Sequence, residues 1–147
     1  AGAMLIAGLV WASGLLNAGL GETAIGIAES KATLGMAEAF ARAILCNVLV
    51  CLAVWLSLAA RSAAGKILAI IWPIASFVLL GLEHSIANMY FFPQAMLAGA
   101  AVDWTDFGQN LFIVTLGNVA GGAGGVAFAY RLAYGNSESH LDIVNDQ

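Results

Sequence analysis

The chain has 147 residues, 61% of them hydrophobic and 10% charged, with a formal net charge of −4 and a mean hydropathy of +0.89. That composition excludes an ordinary water-soluble domain and predicts an all-α polytopic membrane protein. With only five Lys and Arg residues, it also leaves no basic surface for a nucleic-acid partner. Cys46 and Cys51 lie in an apolar run without CxxC spacing, so they read as packing residues and imply neither a redox pair nor a metal.

A helix needs about 20 mostly apolar residues to cross the hydrocarbon layer. Four stretches meet that need, at about residues 1–18, 36–60, 66–102 and 107–134, together a transmembrane domain over 1–134. A polar connection, 21-GETAIGIAESKATLG-35, follows the first, and 61-RSAAGK-66 ends the second. The third runs to 103-DWTD-106, and the fourth precedes a polar tail at 135–147. The opening AGAMLIAGLV has neither an initiator Met nor a basic segment with a cleavage site, so the chain is expected to start within a longer protein. Arg61, Lys66 and Arg131 fall on one membrane side, which the positive-inside rule makes cytoplasmic, tail included.

The third stretch is too long for one straight span. Lys66 to Val102 would measure roughly 55 Å as a helix against about 30 Å of hydrocarbon. Pro73 and Gly81 are its weak points, and two half-helices around an irregular stretch are expected. Non-helical backbone at membrane depth is tolerated where protein buries it or water lines it, which points to a pore or cavity.

Within that stretch, 81-GLEHSIANMYFFP-93 places Glu83, His84, Ser85 and Asn88 among apolar residues. A titratable group at membrane depth costs a few kcal/mol and is usually partnered and functional. His84 can donate, accept and exchange a proton near neutral pH, which suits a passing weak acid. Its other reading is a satisfied core histidine. Glu83, about 100° away on a helix, is expected to bond backbone donors at the break or a neighbouring chain. Gly117, Gly121 and Gly125 repeat every four residues and read as a packing stripe. Asn118 fits either the same lumen as His84 or an interhelical hydrogen bond, and Lys31 either an anion-attracting mouth or a solvated helix end. Glu38 and Arg42 have the spacing of an intrahelical pair near the interface, and a substrate contact by Arg42 is the other reading.

Three blocks, 42-RAILCNVLVCLAVWLSLAARSAAGKILAI-70, 73-PIASFVLLGLEHSIANMYFFP-93 and 115-TLGNVAGG-122, resemble the formate/nitrite transporter family, in particular its bacterial formate and nitrite channels. The resemblance implies an aquaporin-like protomer of six helices in two inverted halves, assembled as a homopentamer in the bacterial inner membrane with one pore per protomer. It puts His84 at the central pore histidine, Lys31 at the vestibule lysine, Asn118 at its partner asparagine, and Phe77 and Val50 at or near the hydrophobic constrictions. The chain corresponds to the third to sixth helices. The second helix's loop, which supplies a polar group opposite the histidine, has no counterpart here.

The expected function is passage of small anions of weak acids, formate and nitrite, through a lipid bilayer without a cofactor. A non-transporting packing or assembly module is the alternative. A membrane enzyme using Glu83 and His84 as acid and base or as metal ligands lacks a second ligand cluster, since the other histidine, His140, lies in the tail.

Overall fold

Local signals fix several helix ends. Asp103 accepts the Thr105 and Asp106 N–H groups while Asp106 reaches back to the Asp103 N–H, a capping box that starts a helix inside 103-DWTD-106. Ser62 caps another by accepting from the Gly65 N–H at 3.0 Å. The computed structural model describes residues 2–135, which form helices and turns without a strand. The helices are α1 (Gly2–Ala12), α2 (Leu20–Ala32), α3 (Met36–Ala59), α4 (Ala63–Leu79), α5 (Ser85–Ala98), α6 (Trp104–Val119) and α7 (Phe128–Tyr134). A 3₁₀ turn at Leu15–Ala18 precedes α2, and a π-helical segment at Ala120–Ala127 joins α6 to α7.

Helix α3 is the spine, with α4 and α6 packed along it, while α1 and α2 lie on α5, which also touches α6. Ala39, Ala43 and Val114 form the buried contact between α3 and α6. Small residues bring these backbones together. A Cβ on Gly117 would stand 2.6 Å from the Ala43 Cβ and 2.7 Å from the Phe40 carbonyl oxygen, so the glycine stripe packs as expected.

Met36–Ala59 and the continuous Trp104–Tyr134 helix are long and apolar enough to cross a membrane, and only 22% of each apolar window is buried. A soluble core helix would be mostly covered; these present their apolar sides outward.

Several expectations need correction. The stretch 1–18 is not one helix: α1 stops at Ala12 and the chain turns at Gly14. Most of the connection predicted at 21–35 is helical, as α2. Residues Trp104–Asp106, read as loop, open α6. Pro73 breaks nothing: α4 runs through it to Leu79, and the proline is buried. Apolar helices tolerate proline where neighbouring groups re-satisfy the freed carbonyl. The polar tail, from residue 136 and including His140, lies outside the described residues.

Candidate functional site

The break in the third stretch falls at Leu80–His84. Gly81 adopts φ +61°, and its N–H donates to the Val78 carbonyl at 3.1 Å while the Leu82 N–H donates to Phe77 at 3.0 Å. This pair of bonds is the usual way a glycine closes a helix. Four residues later α5 begins, with His84 in extended geometry at its N-cap position. The positive end of a 14-residue helix dipole therefore faces the break.

His84 is half-buried, and its Nδ1 is shielded from solvent and has no hydrogen-bond partner among the described residues. The Phe77 ring lies 5.9 Å from the imidazole, so these two predicted site residues share one spot. The residues around His84 are, by contrast, heavily bonded. Asn118 Nδ2 donates to the Glu83 carbonyl at 3.0 Å and to the Ala43 carbonyl at 2.8 Å, while its Oδ1 accepts the Ser85 N–H at 2.9 Å. One buried asparagine on α6 thus grips the backbone on both sides of His84. Its polar groups are used in positioning, so an anion could reach them only by displacing those bonds.

Glu83 differs most from its expected surroundings. Its carboxylate takes side-chain partners within the chain: Lys31 Nζ at 2.7 Å and Asn88 Nδ2 at 2.7 Å. The reason is reach, since the last turn of α2 brings Lys31 over the break from 52 residues away. Asn88 also donates to Asn110 Oδ1 at 2.7 Å, tying α5 to α6. Asn88 Oδ1 and both Gln94 amide atoms are unpaired among the described residues.

Two ion pairs flank the break, and burial separates them. The Lys31 and Glu83 side chains are 12% and 1% exposed, whereas those of Arg42 and Glu38, 2.6 Å apart, are 36% and 52% exposed. Removing one member of a buried pair costs about 3–5 kcal/mol, against about 0.3–0.5 kcal/mol for an exposed i,i+4 pair. Lys31 lines the cleft beside the break, and its charge is balanced by Glu83.

Val50 sits half-buried on the α3 face it shares with Cys46 and Ala53, and Pro73 lies in α4 seven residues before Leu80. Neither belongs to the network around His84. Asn110 and Asn47 were missed from sequence. Asn47 Nδ2 donates to the Asn118 carbonyl where α6 turns π-helical. The signal for Asn110 was available, because it lies eight residues before Asn118 on the same helical face. Among the described residues no three His, Cys, Asp or Glu side chains gather to hold a metal.

A probable formate transporter of Methanothermobacter thermautotrophicus is 50% identical over 111 residues, covering 74% of this chain and 40% of the relative. An uncharacterized transporter of Bacillus subtilis, YrhG, is 45% identical over 113 residues, covering 77% of this chain and 42% of the relative. A solved structure, a pentameric formate channel with formate bound, superposes with a TM-score of 0.82 at 34% identity over 90% of this chain and 61% of that one. The chain thus spans about two fifths of the length of these two curated relatives. The family profile for formate/nitrite transporters matches residues 1–132, and the chain belongs to the formate/nitrite transporter family.

Proposed function

We propose that this chain forms one wall of a transmembrane path for small monovalent anions of weak acids, formate and nitrite foremost, with His84 at its narrow point. A single observation carries the reading. In a region where Glu83, Ser85 and Asn118 are all bonded, the His84 Nδ1 is left without a partner, beside the Phe77 ring and the N-terminal end of α5. An imidazole nitrogen with no partner in the protein can give a hydrogen bond or a proton to a passing anion, while a bare anion in hydrocarbon is prohibitively costly.

In this reading Phe77, with Val50 on α3, strips water from the anion, and the α5 dipole and His84 replace the lost solvation. Asn118, Ser85 and Asn88 hold the loop, and Glu83 anchors Lys31 at the cleft. The protein would work as a homopentamer in the bacterial inner membrane with its tail in the cytoplasm, one pore per protomer and no cofactor. The pentameric formate channel that it resembles supports this assembly.

The test is uptake of formate and nitrite into liposomes at pH 5.5 and 7.5 by the chain with any flanking residues its gene encodes, as wild type and as His84→Phe. Uptake that the substitution alters supports the reading. Pentamers that pass neither anion would instead make this an assembly module.

A further inference from the structure

Arg42 is a charged side chain inside the largely apolar helix α3. It projects from the second turn of α3 into a cleft of about 380 Å³ that it shares with Lys31, Ser30, Thr23, Gly81 and Glu83. Two cations and one carboxylate of this wall are thus in place, but they are not equally free. Lys31 is bound to the buried Glu83 carboxylate, and withdrawing it would strand that charge. Arg42 instead pairs with Glu38, whose side chain is more than half exposed and loses little when it returns to water.

The guanidinium has five N–H donors in a planar fork. Nη2 reaches Glu38 at 2.6 Å and Nη1 makes only a long 3.4 Å contact to the Gly81 carbonyl. That carbonyl belongs to the turn three residues ahead of His84. A small carboxylate or nitrite presents the same pair of oxygens that Glu38 offers, so it can replace Glu38 on the fork without leaving a buried group unpaired.

We infer that Arg42 is the anion-holding residue of this cleft, exchanging Glu38 for the substrate anion beside the turn that leads to His84. The inference deepens the transport reading and rests on it. It also makes Glu38 a competitor for the substrate, so the two residues of one ion pair should respond to substitution in opposite directions.

The experiment is formate uptake into liposomes against formate concentration, for the chain with any flanking residues its gene encodes, as wild type, Arg42→Gln, Arg42→Lys and Glu38→Gln. Loss of a charge-assisted hydrogen-bond pair should raise the half-saturating concentration in Arg42→Gln by about tenfold at little-changed maximal rate, with Arg42→Lys in between. Removing the competing carboxylate in Glu38→Gln should lower it by about two- to fivefold. Should Arg42→Gln fail to assemble, Glu38→Gln, which keeps the arginine, carries the test. Unchanged half-saturation in both, or a fall in maximal rate alone, would reduce Arg42 to a helix-surface or turn-positioning residue and overturn the inference. A wild type that passes no formate would instead sink the transport reading itself.

Discussion

Lys31 Nζ and Glu83 Oε1 lie 2.7 Å apart across the helix break, joining the end of α2 to the residue before His84. The pair is almost fully buried, so its two halves are worth more together than either is alone. Lys31→Met should destabilise the protein by about 3–5 kcal/mol because it leaves the Glu83 charge uncompensated. The double variant Lys31→Met with Glu83→Gln should recover a large part of that loss. Thermal unfolding in detergent followed as a double-mutant cycle measures it, and additive losses would show the two side chains to be uncoupled.

The turn at Gly81 has φ +61°, a conformation that costs an L-residue with a Cβ roughly 1–2 kcal/mol. Gly81→Ala should lower stability by about that amount, and Gly81→Asn by less, since asparagine visits this region more readily. The comparison of the two melting temperatures separates backbone strain from a clash, because among the described residues a Cβ here meets only Arg42 Nη1, at 3.9 Å.

Asn118 makes three hydrogen bonds that bracket His84. Asn118→Leu should cost at least about 2 kcal/mol, since each backbone group left buried and unpaired costs about 1–3 kcal/mol. If the asparagine positions the loop, uptake should fall at every anion concentration with little change in half-saturation. A selective rise in half-saturation would instead make Asn118 a direct anion contact.

Glycines on one helix should behave oppositely. Gly117→Ala forces a Cβ into Ala43 and the Phe40 carbonyl and should cost about 1–3 kcal/mol, loosening α3 from α6. Gly108→Ala meets nothing within 4 Å among the described residues and should stabilise α6 by about 0.5–1 kcal/mol. A destabilising Gly108→Ala in the assembled protein would locate a close contact with another copy or segment at that face.

Proton sharing with His84 has a fixed sign. Protonation of an imidazole grows as pH falls, so anion flux should rise between about pH 7.5 and pH 5. His84→Gln, which keeps a hydrogen-bond donor but cannot titrate there, should flatten the profile. Flux in the wild type that stays level across that interval counts against the proton-sharing version of the mechanism.

The sequence by itself determined the helical, apolar character of the chain, the need for a break between Lys66 and Val102, and the conspicuousness of Glu83 and His84. These follow from properties of single stretches, namely hydropathy, length against bilayer thickness and the cost of a charge in an apolar run. It also made the glycine stripe legible, because a four-residue repeat lies on one helical face. It pointed to Pro73 as a weak point, although α4 runs through the proline unbroken. The partners were beyond its reach. That Lys31 meets Glu83, that Asn118 spans the backbone around His84, and that Arg42 faces the Gly81 carbonyl are contacts between residues 33 to 52 positions apart. Such contacts depend on how α2, α3, α5 and α6 converge, and no local periodicity encodes that convergence. Tertiary structure therefore decided which charges are bound to each other and which of the two pairs is buried, and burial sets the cost of parting each.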